Sequence, residues 1–227
     1  MISVKNVTKI YKHGSESLPV TAVADVNIEI QQGDFANIMG RSGSGKTTLL
    51  SMIGGLTKPT QGSVFIDNVD VWSLDDRKLS TLRNRKVGFI FQFPSLIPTI
   101  DVFDNLMLPA VFSKVKYDVS ERAFELLEKV ELSEKIDAYS SQLSSGEQRR
   151  VAIARALMSK PDIVLADEPT GDLDEDTEEE IMKLLQKINS EGATLILVTH
   201  NPDLAKYSNR IFKMSQGRVK ELPHSSR

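Results

Sequence analysis

Apolar and polar side chains alternate along much of the first forty residues of the chain. The alternation covers Ile2–Val7 and Ala22–Ile30, and a short apolar run follows at Phe35–Met39. A period of two residues predicts β-strands, and a Gly-Asp pair at positions 33–34 predicts the turn before the third strand. The polar segment His13–Pro19 is typical of an exposed hairpin loop rather than of a linker between domains.

Between Asp101 and Ser159 the apolar period changes to three and four residues, which predicts helices. This stretch is interpreted as a helical lobe inserted into an α/β core, because strands and helices alternate on either side of it. The other elements predicted after the first forty residues are the helix Lys46–Ile53, the strands Ser63–Asp67 and Val87–Phe91, the buried strand Ile163–Ala166, the helix Glu175–Asn189, the strand Thr194–Val198 and a final pair of short strands within Ile211–Val219.

The composition is that of an ordinary globular protein and excludes several kinds of function. The 227 residues are 40% hydrophobic and 26% charged, with a formal net charge of −3. So mild an acidic balance gives no reason to expect nucleic acid as a partner. The absence of cysteine excludes disulfides and a cysteine nucleophile, and it fits a reducing cytoplasm. No apolar stretch approaches the ~18 residues needed to span a bilayer, and the N-terminus lacks a signal-peptide pattern, so any membrane role requires another protein.

A glycine-rich loop, Gly40–Thr47, lies between a predicted strand and a predicted helix. Its glycines let successive backbone N–H groups face inward, and the N-terminus of the following helix adds positive charge, so the loop can hold a phosphate group. Lys46 can reach the outer phosphates, and the Thr47 hydroxyl can bind Mg²⁺. The strand and helix on either side argue against a chance match. The loop therefore predicts binding of a nucleoside triphosphate.

Two carboxylates close the apolar strand Ile163–Ala166. Asp167 can hold a water molecule on Mg²⁺, and Glu168 can polarise the water that attacks the terminal phosphate. Taken alone, such a pair is more often a helix cap or a solvent-exposed group. A phosphate loop in the same predicted sheet favours the catalytic interpretation.

Gln92 and His200 each follow a predicted strand, at the sheet edge where ligands gather in α/β folds. The Gln92 amide can bind Mg²⁺ or orient water, and a neutral His200 imidazole can donate to the γ-phosphate. A lone glutamine is more often a surface residue, and a lone histidine is more often structural. Position in the chain is therefore the argument for function at both residues.

A second anion site is predicted at Leu143–Gln148, where a Ser-x-Gly turn opens a helix. A phosphate already held by one glycine-rich loop has little need of another from the same chain. The segment is therefore predicted to act on a nucleotide bound by a different subunit. Asp174 is predicted to cap the helix that begins at Glu175, and such a cap can also contact a facing subunit.

Taken together, these motifs resemble those of the ATP-binding cassette (ABC) family, in the family's order and over nearly the whole chain. The resemblance implies an α/β fold with a P-loop NTPase core, an N-terminal antiparallel β subdomain and an inserted helical subdomain. It implies a single ABC ATPase domain over residues 1–227, with the core at residues 1–92 and 160–227 and the helical subdomain with the signature at residues 93–159. The matching segments are the phosphate loop Gly40–Thr47, the Gln loop Phe91-Gln92, the signature Leu143–Glu147, the acidic strand Ile163–Glu168, the D-loop Gly171–Asp174 and the switch histidine His200.

The resemblance also implies a role for each candidate residue in hydrolysing ATP to ADP and phosphate. The implied catalytic residues are Glu168 as general base, with His200 and Lys46 at the γ-phosphate. The implied Mg²⁺ ligands are Thr47, Gln92 and Asp167. The implied ATP contacts are Tyr11 against the adenine ring, then Gly40, Ser42, Gly43, Ser44, Gly45, Lys46, Thr47, Thr48, Gln92, Ser144, Gly146 and Asp174.

Members of this family are expected to form a homodimer that encloses two ATP molecules head to tail. Ser144 and Gly146 of one subunit would close over the phosphate held by Lys46 of the other, in a symmetric interface that does not polymerise. ATP would favour the closed state, and hydrolysis would remove that preference.

Several segments resemble the lipoprotein-release and macrolide-export branch of the family. This implies an ATPase that powers a membrane-bound export or mechanotransmission complex, as a peripheral subunit at the cytoplasmic face of the membrane. An integral membrane permease-type subunit is expected to dock near Gln92–Pro109. The segments that carry this resemblance are Gly54–Thr60, Leu79–Arg83, Phe91–Pro98 and Pro169–Asp174.

The apolar residues of Gln92–Pro109 fit a docking groove, although a hydrophobic core would have the same pattern. They are Phe93, Leu96, Ile97, Val102, Phe103, Leu106 and Leu108. The alternative function is an ATP-driven regulatory dimer of the cell-division type, which signals through a membrane partner without transport. Both functions need the same nucleotide site.

The signature departs from the family's usual Leu-Ser-Gly-Gly-Gln at Ser145 and Glu147. Since Ser144 and Gly146 are kept, ATP-driven closure is expected to survive. Glu147 adds a negative charge near a phosphate site and is expected to weaken closure or slow turnover. The D-loop has Asp172 where this branch more often has asparagine.

Overall fold

The computed structural model describes residues 1–12, 18–111 and 117–223. The chain divides into two compact units, the first made of Met1–Ser80 with Thr194–Arg227 and the second of Thr81–Ala193. The predicted hairpin loop centres on residues 13–17, which lie outside the described ranges.

Ten strands and six α-helices are defined within the described ranges. In chain order they are β1 (Ile2–Tyr11), β2 (Val20–Ile30), β3 (Phe35–Met39), α1 (Lys46–Ile53), β4 (Gln61–Ile66), β5 (Val69–Asp70), α2 (Asp76–Lys86), β6 (Val87–Ile90), α3 (Val102–Val111), α4 (Val119–Lys129), α5 (Ser145–Leu157), β7 (Ile163–Asp167), α6 (Glu175–Ser190), β8 (Thr194–Thr199), β9 (Arg210–Ser215) and β10 (Arg218–Leu222).

An antiparallel sheet in the first unit has the strand order β2-β1-β4-β5. Ile2 lies opposite Ile30 on one side and Ile66 on the other, so the buried apolar side chains of three strands share one face. β1 runs on to Tyr11, beyond the predicted end, and β4 begins at Gln61 rather than Ser63.

The first unit also contains a mixed set of strands in the order β10-β9-β3-β8. β3 pairs in parallel with β8 and β9, and β10 is antiparallel to β9. All of β8 is buried, as is usual for parallel strands covered on both faces. β3 and α1 have the predicted bounds, and α1 packs against β1, β2 and β8.

The second unit combines the parallel pair β6 and β7 with helices α3 to α6. α5 contacts α3, α4, α6 and β6. A β-carbon at Gly88 would lie 2.4 Å from the carbonyl oxygen of Ala156, so α5 passes over β6 at a distance that only glycine allows. The helical character predicted for the middle of the chain is confirmed by α3, α4 and α5. Fully buried side chains of this unit's core include Ile90, Leu106, Leu126, Leu127, Ile153, Leu165, Ile181, Met182 and Leu185.

α2 is an element that the apolar pattern does not predict. Leu79 is the one buried residue among its 11, so the helix shows no apolar stripe. The Asp75 carboxylate accepts from the N–H of Lys78 at 2.8 Å, and three of the last four residues are basic. The helix is therefore stabilised by the residues at its two termini and not by burial of an apolar face. Over the described ranges, no helix combines the length and apolar character that crossing a bilayer requires.

Candidate active site

The predicted phosphate loop Gly40–Thr47 leaves β3 after Met39 and runs into the first turn of α1, whose N-cap is Gly45. Gly45 has a φ of 105°, and a β-carbon there would lie 2.1 Å from the carbonyl oxygen of Ala22 in β2. Only glycine combines that backbone angle with so close an approach. The loop is therefore held in one curl that leads directly into the first turn of α1.

Two polar side chains of the loop are buried. Lys46 is 4% exposed, and its Nζ donates to the carbonyl oxygens of Gly40 at 2.8 Å and Arg41 at 3.2 Å. The buried hydroxyl of Ser44 has no hydrogen-bond partner among the described residues. A buried ammonium and an unsatisfied hydroxyl are costly in an apolar interior, and an anion with several oxygens relieves that cost. The loop therefore fits a polyphosphate. The other predicted contacts here are the exposed Ser42, Gly43 and Thr47 and the half-buried Thr48.

His200 follows β8 directly and lies next to the start of the phosphate loop. The N–H of Gly40 donates to the carbonyl oxygen of Thr199 at 3.2 Å. The N–H of Asn201 donates to Oγ1 of the same threonine at 3.0 Å. These two bonds fix the backbone on both sides of the exposed His200. The first unit thus brings the histidine and the phosphate loop together.

Tyr11, the implied adenine contact, is the last residue of β1 and is half-buried. It pairs with Val20 of β2, whose side chain is exposed. The Nζ atom of Lys9 lies 5.1 Å from the centroid of the tyrosine ring, within the range of a cation–π contact. The ring therefore lies at the end of the antiparallel sheet with a cation over it.

The two predicted acidic residues end β7 in different environments. Asp167 is the buried last residue of the strand, whereas Glu168 is half-buried and has a φ of 45°. A left-handed backbone at a residue other than glycine costs about 1 kcal/mol, and such outliers are most common at functional sites. The N–H of Gly171 closes this turn by donating to the carbonyl oxygen of Glu168 at 3.1 Å. Glu168 therefore leaves the line of the strand that positions Asp167.

Asp174 caps α6, as the sequence predicts. Its Oδ1 accepts from the N–H of Thr177 at 2.9 Å, and its Oδ2 accepts from the hydroxyl of the same residue at 2.7 Å. The hydrogen bond from that backbone N–H lowers the pKa of the Asp174 carboxyl below its usual range. The carboxylate is exposed, so it remains accessible to a second molecule.

The signature begins α5 with a capping box. The Ser144 hydroxyl accepts from the N–H of Glu147 at 3.2 Å, and the Glu147 carboxylate accepts from the N–H of Ser144 at 2.7 Å. That second bond lowers the pKa of Glu147. Gly146 is buried, and a β-carbon there would lie 2.7 Å from Cγ2 of Thr177 in α6. Gly146 therefore also has a packing role, while Ser144 is exposed at the helix terminus.

Gln92 is exposed and lies between two backbone segments held by arginines. The Arg149 Nη1 donates to the carbonyl oxygen of Phe91 at 2.8 Å. Arg155 donates to the carbonyl oxygens of Pro94 at 2.7 Å and Ser95 at 2.9 Å. Sequence reasoning missed both arginines, because every residue has a carbonyl and the acceptors therefore leave no signature.

The apolar residues predicted for the docking groove separate into two groups. Phe93 and Ile97 are 66% and 41% exposed. Val102 and Leu106 are buried in the core of the second unit, which is a correction to their predicted place in a groove. The partly buried members are Leu96, Phe103 and Leu108.

A glycine-rich loop with a buried lysine, set between a parallel strand and a helix, defines the class of phosphate-loop nucleotide-binding proteins. Residues 23–171 match the family model described as ABC transporter. The chain belongs to the ABC transporter family and is an ATPase of that family, with the expected fold class.

The chain is similar to two curated relatives and to a solved structure. The chain is 47% identical over 226 residues to the uncharacterized ABC transporter ATP-binding protein MJ0796 of Methanocaldococcus jannaschii, covering 96% of this chain and 95% of that protein. It is 41% identical over 225 residues to the macrolide export ATP-binding/permease protein MacB of Rhodopirellula baltica, covering 97% of this chain but 33% of MacB. A dimeric structure of MJ0796 in a post-hydrolysis state, bound to ADP and Pi, matches with a TM-score of 0.91 at 43% identity over 100% of both chains. The predicted likeness to the macrolide-export branch is confirmed.

Proposed function

We propose that this chain is the ATP-hydrolysing subunit of a membrane-bound export or mechanotransmission complex. The observation that carries the nucleotide-binding part of the proposal is the buried pair Lys46 and Ser44 in the phosphate loop, and the similarity to MacB supports the export part. Lys46 binds the outer phosphates, and the N–H groups of the loop and the N-terminus of α1 bind the remaining phosphate oxygens. Tyr11 stacks on the adenine ring.

The donors proposed for Mg²⁺ fit a hard cation. Thr47 offers a hydroxyl, Gln92 an amide oxygen and Asp167 a carboxylate, and Mg²⁺ prefers oxygen ligands of these kinds. The bound ion would neutralise negative charge on the phosphate groups. Assigning all three residues to one nucleotide rests on the order of the motifs along the chain.

Glu168 is proposed as the general base. Its left-handed backbone turns it out of β7, and its carboxylate accepts a proton from the attacking water. His200, which directly follows β8, donates a hydrogen bond to the γ-phosphate. Lys46 stabilises the charge that accumulates on the same phosphate.

The working form is proposed to be a homodimer that encloses two ATP molecules. The dimeric structure of MJ0796 supports this arrangement, as does the exposure of Ser144 at the terminus of α5. Ser144 and Gly146 contact the nucleotide held by the partner subunit, and Asp174 contacts the partner from the cap of α6. An interface of this kind uses the same surface twice and closes on itself.

An integral membrane permease-type subunit is the proposed partner, which holds the chain at the cytoplasmic face of the membrane. MacB, whose name joins an ATP-binding and a permease part, supports this assignment. The exposed Phe93 and Ile97 support docking near Gln92–Pro109, because burying large apolar side chains against a partner protein is energetically favourable.

Replacing the proposed base tests the chemistry directly. Glu168→Gln keeps the size and hydrogen-bonding of the side chain but cannot accept the proton, so kcat should fall by at least about 100-fold while ATP still binds. Phosphate release and ATP binding are measured on the same preparation. Glu179→Gln in α6, which removes one exposed carboxylate paired with Lys183, is the matched control and should keep full activity. Full activity in Glu168→Gln would refute the proposed role.

A further inference from the structure

Two arginines of α5 donate hydrogen bonds to the backbone on both sides of Gln92. Arg149 donates to the carbonyl oxygen that precedes Gln92, at 2.8 Å. Arg155 donates to two carbonyl oxygens that follow it, those of Pro94 at 2.7 Å and Ser95 at 2.9 Å. The Gln loop is thus attached to the helix whose N-cap is Ser144 of the signature.

The two arginines lie six residues apart in α5. Six residues of α-helix advance by about 9 Å, so Arg149 and Arg155 reach points separated along the helix axis. The planar fork of a guanidinium can donate to two neighbouring carbonyls at once, which the single point charge of lysine does not reproduce. The contact of Arg155 therefore depends on arginine in particular.

The burial of the guanidinium groups makes these contacts strong. Arg149 is 4% exposed, and the loop carbonyls replace water around its charge. Burial lowers the pKa of both guanidinium groups, and the negative charge of Asp172 opposes this at Arg149. Hydrogen bonds from a charged donor are roughly twice as strong as those between neutral groups.

We infer that Arg149 and Arg155 are positioning residues that fix the Gln loop to the signature helix, so that the two motifs move as one body. This inference rests on the proposed function, because the two motifs serve ATP turnover there. A displacement of the docking segment at Phe93 and Ile97 reaches the N-terminus of α5 through these carbonyl contacts. Neither arginine touches the reacting atoms, so their effect is on geometry and not on chemistry.

A single-tryptophan reporter measures the attachment without nucleotide. Trp72 is the chain's only tryptophan, so Trp72→Phe with Phe93→Trp gives one fluorophore in the loop. In this background Arg155→Lys should increase the amplitude of fast fluorescence depolarisation about twofold, since an unheld loop moves on the nanosecond timescale. Arg150→Lys, the same change on the same helix at a residue paired with Glu180, is the control and should leave the depolarisation unchanged.

Steady-state kinetics test the consequence for turnover. Arg155→Lys should lower kcat about 10-fold or more through misplacement of the Gln loop, and the KM for ATP should stay within about twofold because the phosphate loop is untouched. Arg149→Lys should act in the same direction and serves as the second variant if the first folds poorly. A rigid loop in both variants, or a mobile loop with unchanged kcat, would overturn the inference. Failure of the proposed function is recognised separately, because the parent protein itself would then hydrolyse no ATP.

Discussion

Asn37 is a polar side chain in the apolar interior of the first unit. It lies in the middle of β3 and is 0% exposed, and neither atom of its amide has a hydrogen-bond partner among the described residues. Burying an unsatisfied amide costs about 1–3 kcal/mol. Asn37→Leu, which keeps the branched shape without the polar atoms, should raise the free energy of unfolding by about 1–2 kcal/mol. The midpoint of urea-induced unfolding, at constant dependence on urea concentration, measures this change.

Asn105 is the matched control for this prediction. It is equally buried, at 1% exposed, but its amide makes four hydrogen bonds to the backbone of Ile97, Ile100 and Asp101. Asn105→Leu removes the side-chain partners of these buried backbone groups, so it should lower the free energy of unfolding by about 1–3 kcal/mol. Equal effects of the two substitutions would show that hydrogen bonding is not what distinguishes the two sites.

At the scale of elements, the sequence predicts best where an apolar pattern coincides with a turn or a motif. β3 and α1 have their predicted bounds because an apolar strand, a glycine-rich loop and an apolar helix follow one another. α2 escapes prediction because it buries only Leu79, so nothing repeats at helical spacing. β1 escapes in part, since its later residues are half-buried and irregularly paired with β2.

The same contrast applies to the candidate site. The phosphate loop, the two acidic residues at the end of β7 and the Asp174 cap can be predicted from the sequence, because their chemistry requires particular residue types at particular positions. The contacts of Arg149 and Arg155 are not readable, because their acceptors are backbone carbonyls. The packing of Gly146 against Thr177 is equally hidden, since it depends on how closely α5 approaches α6.

The N-terminus of α5 makes a prediction about pH. The hydrogen bond from the Ser144 N–H, followed by smaller contributions that include Lys135 and Arg150, lowers the pKa of Glu147 in the folded protein. A carboxyl with a lowered folded pKa stabilises the fold above its unfolded pKa, and that stabilisation is lost as pH falls through the folded pKa. Parent protein should therefore be more stable than Glu147→Gln at neutral pH, and the difference should shrink in the acid range below the usual pKa of glutamate.

Urea unfolding of both proteins from pH 7 to the lowest pH at which they stay folded measures this difference. Glutamine keeps a side-chain acceptor for the Ser144 N–H, so the comparison isolates the charge from the capping geometry. A difference that does not vary with pH would mean that the ionised carboxylate is not what stabilises this helix terminus.

At the scale of the whole molecule, the proposed dimer divides each nucleotide site between two copies of the chain. Lys46 would come from one copy and Ser144 from the other, whereas a site built within one copy would take both from the same chain. Ser144→Arg puts a bulky cation on the signature turn and should leave ATP binding to the monomer nearly intact. It should abolish closure of the dimer and hydrolysis.

Mixing two inactive variants distinguishes these arrangements. Lys46→Ala and Ser144→Arg each damage both sites of their own homodimer. A mixed dimer carries one site with both defects and one site with neither, so an equal mixture should recover about a quarter of the parent ATPase activity if half of the dimers are mixed. The double variant Lys46→Ala/Ser144→Arg mixed equally with parent protein is the control. Its mixed dimers contain one defect in each site and should be inactive, so only the parent homodimers should contribute, at about a quarter of the parent activity. A site built within one copy would instead give about half of the parent activity. Mixed dimers that form without recovering activity would refute the division of the site between subunits.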